Sequence, residues 1–431
     1  MSIETIEGKQ YIVNILTRAV ALVTQDTLDR IQDIGFVPQT PEDEEIIRNL
    51  MEDWFIVEDD FDESSLLRYY TNKLKYTTNE AGIDATVLTT YRCNMECSYC
   101  YESGVKEDKD TVLNEKISDS MITWLNAYST MKKVNDIFVD FYGGEPLLNK
   151  KMMIYFMKKA AQESQHYRFS SVTNGTLLTK ETVKELKPLG FTASQVTLDG
   201  PELLHDDRRR MKSGKGTFDV IFNNILNVVD DIGIGLSINT DRQNYEAIPE
   251  FLDFLASYGL ADKIVLAFNI VQPAVKEQEH CKKHIFNAGE VSESQFMVYK
   301  AAVDKGFNIQ HRIVSGVCRS QHEFSVVFDP VGDIYPCPAT VGIDKFYSGN
   351  VTQPLNEFYR RWSQHIGSEP WNTEECLDCK YLPICLGGCR HQLYTSLEKF
   401  DGPICHKDSF KGDTRIMILR ALHNQEKGDA E

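Results

Sequence analysis

Between residues 84 and 270 the chain repeats one pattern: a short run rich in β-branched and aromatic residues, then a longer amphipathic run. The runs DATVLTT (84–90), DIFVDFY (136–142), RFSSVT (168–173), SQVTL (194–198), GIGLSIN (233–239) and KIVLAFNI (263–270) have the length and composition of strands. NEKISDSMITWLNAYSTM, KKMMIYFMKKAAQES, KETVKELKPLG, TFDVIFNNILNVVDD and YEAIPEFLDFLASYG lie between them and space their apolar residues helically. Strands alternating with helices predict an α/β fold with a parallel sheet. Six units fall short of a closed eight-fold barrel, so the expected architecture is a partial (β/α)6 TIM-like barrel. In such a fold chemistry sits past the C-terminal ends of the strands.

Four polar or glycine-rich motifs fall at those ends. YRCNMECSYCYE follows the first strand, FYGGEP ends the second, VTNGT the third and LDGP the fourth. The first places Cys93, Cys97 and Cys100 in a C-x3-C-x2-C spacing. Thiolates are soft ligands for iron–sulfur clusters and zinc. Structural metal sites close every position, whereas catalytic sites keep one open. Three cysteines hold three corners of a [4Fe–4S] cube and leave the fourth iron for another ligand; the alternative is zinc with a distant fourth ligand. Tyr99, just before the last cysteine, is placed to pack against a bound base. Taken singly, GGEP and Asp199-Gly200-Pro201 are ordinary turns, Arg208 to Arg210 a solvated basic run, and GKGTF (214–218) a turn without P-loop spacing.

The flanks differ in kind. Residues 1–80 hold 7 basic and 17 acidic residues, within a chain of net charge −18. That balance argues against nucleic acid; an acidic front end suits a basic partner or a solvated surface. No apolar run has the length of a membrane span, and MSIETIEGKQ lacks the basic and apolar regions of a signal peptide, so the expected location is cytoplasmic. QYIVNILTRAVALVT reads as two short strands around a turn, and TLDRIQDIG and PEDEEIIRNLMEDWFI as short helices. Together they suggest a compact binding module over 1–80, whose removal up to residue 78 is expected to leave the barrel intact. Domain boundaries are expected at 1–80, 81–310 and 311–431.

The last segment is loop-rich and carries most of the remaining cysteines. Cys318 is followed by Gly332 and Cys337, CLDCKYLPICLGGC supplies Cys376, Cys379, Cys385 and Cys389, and Cys405 closes the set. Without an export signal, such clusters suggest metal rather than disulfides. Two zinc ribbons are the alternative.

The C-x3-C-x2-C loop and its companion motifs resemble the radical S-adenosylmethionine (radical SAM) superfamily over about residues 84–270. The resemblance implies that the open iron binds the amino and carboxylate groups of S-adenosylmethionine, whose reductive cleavage yields a 5′-deoxyadenosyl radical. It implies that Gly143, Gly144, Glu145 and Pro146 hold the methionine amine. It further implies that Asn174 contacts the nucleoside or the methionine end, that Arg209 of LDGPELLHDDRR pairs with the methionine carboxylate, and that Asn239 is a ribose contact. An external reductant of flavodoxin or ferredoxin type is implied as well.

The later cysteines resemble a SPASM domain with two auxiliary [4Fe–4S] clusters, three clusters in all. That likeness implies an outer cluster on Cys376, Cys379, Cys385 and Cys405 and an inner one on Cys318, Cys337 and Cys389. The chain departs from the fully ligated pattern, because CRSQHEFSVVFDP has no second cysteine. The inner cluster then either keeps an open iron or takes His322 or Cys281. The front segment resembles the winged-helix-like modules with which maturases of ribosomally made peptides capture a leader as an added edge strand. Anaerobic sulfatase maturases carry an aspartate after the inner-cluster cysteine; here Pro338 follows Cys337. The expectation is therefore an enzyme that modifies a precursor peptide with a leader, installing a thioether or carbon–carbon cross-link. The alternatives are sulfatase-type oxidation, decarboxylation or epimerisation, and, outside enzymes, an electron carrier or peptide-binding scaffold.

Overall fold

The computed structural model describes residues 1–32, 37–77, 82–104, 110–271, 283–310 and 317–428. The chain opens with three antiparallel strands, β1 (Ser2–Ile6), β2 (Lys9–Val13) and β3 (Val20–Val23). Ile6 pairs with Lys9 across Glu7 and Gly8, which both have positive φ, as a two-residue hairpin matching strand twist requires. Helices α1 (Gln25–Gln32), α2 (Pro41–Glu52) and α3 (Glu63–Tyr76) follow. Thr40 and Asp43 form a capping box at the start of α2, with Pro41 in its first turn.

The barrel segment runs β4 (Gly82–Thr90), β5 (Met95–Cys97), α4 (Glu115–Lys132), β6 (Asp136–Gly143), α5 (Lys150–Ala160), β7 (His166–Thr173), α6 (Lys180–Leu186), β8 (Phe191–Thr197), α7 (Glu202–Arg208), β9 (Arg209–Met211), α8 (Phe218–Val228), β10 (Gly233–Thr240), α9 (Ile248–Ser257) and β11 (Ile264–Ile270). After it come α10 (Ala288–Asp304), β12 (Asn308–Ile309), β13 (Ser325–Phe328), β14 (Ile334–Tyr335), α11 (Leu355–Ile366), α12 (Arg390–Leu397) and α13 (Lys411–Gly428).

The main sheet has the order β12-β11-β10-β8-β7-β6-β4-β13-β14. Its pairings are parallel except for the last, β13 with β14. All six expected strands are there, within a few residues at each end. Strand β13 of the cysteine-rich segment extends the sheet beside β4, beyond the six strands expected from the sequence. Side chains such as Val87, Val139, Phe141, Leu236 and Phe268 are buried in one core with Leu125 and Phe156 of the helices. Burying each contributes about 1.5–3 kcal/mol, and this makes the strand ends a rigid platform.

The front segment is not set apart from the rest. One face of its sheet packs Ile12 against Leu28, Leu50 and Phe55. The other packs Ile6, Tyr11 and Val13 against Met417 and Ile418 of α13. Helix α3, which the sequence reading passed over, buries Leu67 with Trp371, Leu382 and Leu386. Lys75, 2% exposed, donates from Nζ to the carbonyls of Ile366 (3.0 Å) and Ser368 (2.9 Å), at the C-terminal end of α11. Removal of residues 1–78 would uncover Met417 and Ile418 of α13 and the Trp371, Leu382 and Leu386 cluster, contrary to the independence expected of that segment.

Candidate active site

The cysteine loop is fixed from two sides. Strand β5 pairs antiparallel with β9, setting Cys97 opposite Arg209 and Met95 opposite Met211. Ser98 N donates to Arg208 O (2.9 Å). On the other side Gly144 N donates to Thr90 O (3.0 Å) and Glu145 N to Arg92 O (2.8 Å). A Cβ on Gly143, at φ 128°, would lie 2.2 Å from Thr90 O, and one on Gly144 2.4 Å from Arg92 O. Only glycine allows GGEP and the cysteine loop to approach this closely.

Cys93, Cys97 and Cys100 come together as a group. Burial pushes Cys93 up to about 11 and Cys100 up to about 12, and each is raised further by its neighbouring thiols. Burial raises Cys97 as well, while Arg209 opposes it. Three crowded thiols reluctant to ionise alone are released from that cost by a cationic centre that binds the thiolates as their protons leave to solvent.

Glu145 is fully buried and accepts from Thr173 Oγ1 (2.7 Å), Asn174 N (2.7 Å) and Leu147 N (3.1 Å). Burial nonetheless leaves its carboxyl above the usual range. Pro146 is buried beside it, and its carbonyl accepts from Thr89 Oγ1 (3.1 Å). Asn174 Nδ2 donates to Asn94 Oδ1 (2.8 Å) and lies 3.8 Å from Cys93 Sγ.

The remaining expected residues meet around one phenol. Tyr99 Oη donates to Asp199 Oδ2 and accepts from Arg209 Nη1 (2.8 Å) and Asn239 Nδ2 (3.1 Å). Arg208, read from the sequence as part of a solvated run, is fully buried. It sits 4.9 Å over the Tyr99 ring and bonds Asp241 Oδ1 (2.6 Å) and Asn239 O (2.9 Å). Arg209 is 7% exposed, and its Nε is buried without a hydrogen-bond partner. Asp199, Arg208 and Asp241 escaped the sequence reading. The signal that could have found them is an Asp-Gly turn followed by adjacent arginines, more charge than one helix end on a barrel rim needs.

The later cysteines form two further groups. Burial, then Cys318, raises Cys337 to about 12 and raises Cys389 as well. Cys385 is raised by burial and by Cys376, Cys379 and Cys405. His322 Nδ1 accepts from Phe324 N (3.3 Å), and its charged neighbours are Asp84, Arg319 and Glu323 rather than these thiols. Cys281 lies outside the described residues. Among the described residues no three His, Cys, Asp or Glu side chains converge closely enough for a single metal ion. A cube with an iron at each corner asks its thiolates for wider spacing than one ion does.

The donor set therefore fits a soft cluster and an amino-acid ligand beside it: three grouped thiols, a buried carboxylate, and a guanidinium with an unused N–H. Residues 87–255 match the family described as the Radical SAM superfamily. The chain carries a radical SAM domain and is an enzyme. It is 24% identical over 348 residues to the mycofactocin maturase MftC of Mycobacterium ulcerans, covering 75% of this chain and 88% of that one. Its fold is similar to that of anSMEcpe with bound AdoMet, with a TM-score of 0.66 and 18% identity over 79% of this chain and 99% of that one. It is also similar in fold to Streptococcus suis SuiB bound to its precursor peptide SuiA, with a TM-score of 0.58 and 15% identity over 88% and 85% of the two chains. A radical SAM domain implies a [4Fe–4S] cluster and S-adenosylmethionine. Among the described residues no helix is long and apolar enough to cross a membrane.

Proposed function

We propose that this radical SAM enzyme modifies a ribosomally made precursor peptide and joins two of its residues by a thioether or carbon–carbon bond. The observation that carries the reading is the sorting of ten cysteines into groups of three, three and four. In this reading residues 1–80 are a winged-helix-like leader module, 81–310 a partial (β/α)6 barrel and 311–431 a SPASM domain. Cys93, Cys97 and Cys100 hold the catalytic cluster. Cys318, Cys337 and Cys389 hold an inner auxiliary cluster, and Cys376, Cys379, Cys385 and Cys405 an outer one. When bound, the catalytic cluster and S-adenosylmethionine supply a 5′-deoxyadenosyl radical that takes a hydrogen atom from the peptide.

The chain's own residues bind and orient. Glu145 accepts from the methionine ammonium, and Arg209 offers its free Nε–H to the carboxylate, a task suited to a guanidinium fork. Tyr99, held at its hydroxyl by three partners, gives the base a fixed ring, and Asn239 and Asn174 stand at the nucleoside. Among the described residues strand β3 pairs with β2 alone, and its other edge is where a leader strand would be added. MftC is a mycofactocin maturase and SuiB was solved with its precursor peptide, which supports a peptide substrate here. Among the described residues the inner group has three thiols, and an open iron there would favour a thioether, because a substrate cysteine could complete the set.

The test is anaerobic incubation of reconstituted protein with S-adenosylmethionine, dithionite and each short peptide encoded by reading frames flanking its gene. The expected result is 5′-deoxyadenosine and a peptide lighter by two hydrogens. 5′-Deoxyadenosine formation with every candidate peptide unchanged would refute the peptide reading; its absence would refute radical chemistry altogether.

A further inference from the structure

Two arginines stand side by side at this site, and only one is spoken for. Arg208 Nη1 bonds Asp241 Oδ1 at 2.6 Å, and its Nε lies 3.5 Å from Asp199 Oδ2. All three side chains are fully buried. Arg209, next in sequence, has no carboxylate within ion-pair distance among the described residues. It bonds the Tyr99 hydroxyl and keeps a buried Nε–H without a partner. Yet Asp199 is near enough to Arg209 to be stabilised by it as well as by Arg208, against a burial that pushes the other way. The two residues are one hydroxyl apart, since Tyr99 Oη donates to Asp199 and accepts from Arg209.

We propose that Arg208 is a positioning residue that occupies Asp199, so that Arg209 stays available for the carboxylate of S-adenosylmethionine. The proposal rests on the reading of Arg209 as the carboxylate ligand. A buried carboxylate deprived of its cation takes the next one within reach, because an unpaired charge in a dry site is costly. Without Arg208, that next cation is Arg209. Asp199 would then compete with the incoming ligand for the same guanidinium. Arg208 thus acts by satisfying a rival anion and touches the ligand itself nowhere in this account. The ring contact to Tyr99 and the bond to Asn239 O keep it from rotating away from that task.

The test is binding of S-adenosylmethionine to anaerobically reconstituted holoenzyme, measured by equilibrium dialysis, with iron content and thermal midpoint as controls on folding. Arg208→Gln alone would strand two buried carboxylates, so it is combined with Asp241→Asn. In that double variant Asp199 keeps its bonds from Tyr99 and Asn239 but has Arg209 as its remaining guanidinium, and Kd is expected to rise about tenfold or more, the scale of coupling between close charge pairs. Adding Asp199→Asn removes the rival anion and should bring Kd back to within about threefold of the parent. An unchanged Kd in the double variant, or no recovery in the triple one, overturns the proposal; a merely structural Arg208 predicts further loss in the triple variant. Arg209→Gln checks the underlying reading separately. If it leaves Kd unchanged, Arg209 is not the carboxylate ligand, whatever the other variants do, and the proposal falls with that reading.

Discussion

Lys75→Met tests whether the front segment is welded to the rest of the chain. The Lys75 ammonium is buried at the end of α11, where helix carbonyls lack intrahelical partners and carry negative charge. Its backbone carbonyl also accepts from Glu323 N (2.9 Å), just before β13. Methionine keeps the aliphatic stem and removes both Nζ bonds. Hydrogen bonds from a charged donor contribute about 1.5–3 kcal/mol each, and the stranded carbonyls cost a similar amount. Against this, burial disfavours the ammonium and pulls its pKa down, so the net loss is expected at about 2–3 kcal/mol. At a urea slope of about 3 kcal/mol/M, the midpoint falls by roughly 0.7–1 M. The assay is urea unfolding of anaerobic holoprotein followed by tryptophan fluorescence, since Trp371 packs beside Leu67 of the same helix. A midpoint that stays put or rises would mean that burying the charge costs as much as its bonds supply, and the weld would lie in apolar contact alone.

Deleting residues 1–78 uncovers Trp371, Leu382, Met417 and Ile418; gel filtration should show aggregates, and a stable monomer that still cleaves S-adenosylmethionine would show that the module detaches. Cys93→Ala, Cys97→Ala and Cys100→Ala should each abolish 5′-deoxyadenosine formation, and retained cleavage in any one would sink the cluster assignment. Reconstituted protein should hold about twelve irons per chain and the triple alanine variant about eight, at four per cube; zinc in place of iron would overturn the count. Burial moves Asp413 from its ordinary 3.8 up to about 7, so the folded chain holds a proton that the unfolded chain releases. Stability should therefore fall as pH rises from about 4 to 7 and level off above. Asp413→Asn should raise the urea midpoint at pH 8 and leave it nearly unchanged at pH 4; equal effects at both would exclude a titrating carboxyl.

The barrel was legible because buried parallel strands announce themselves as short apolar runs, and VLTT, VDFYG and LSINT are such runs next to long helices. Strand β1 was not, because SIETI alternates with only Ser2 and Ile6 fully buried and resembles a polar leader. Helix α3 hid behind EDDFDE, and its burial depends on Trp371, some three hundred residues away. The cysteine groups could be read from spacing, since the members of each are mostly local in sequence. The Asp199–Arg208–Asp241 network could not. Spacing says nothing of which arginine in RRR turns inward, and the three-residue pairing of β5 with β9 decides that. Asn94, which joins Asn174 to the cysteine loop, escaped for the same reason.

The antiparallel front sheet has one face on α13, the last helix described, and this sets an order of events during synthesis. At about 5–20 residues per second, roughly 20–80 seconds separate β2 from the helix that covers it. Throughout that interval Tyr11 and Val13 have no native neighbour from α13. All ten cysteines assigned to clusters emerge in the meantime, and the last, Cys405, precedes α13 by only a few residues. The front sheet, made well before its partner helix, is thus closed late. A nascent chain presents all ten of these thiols before α13 covers that sheet.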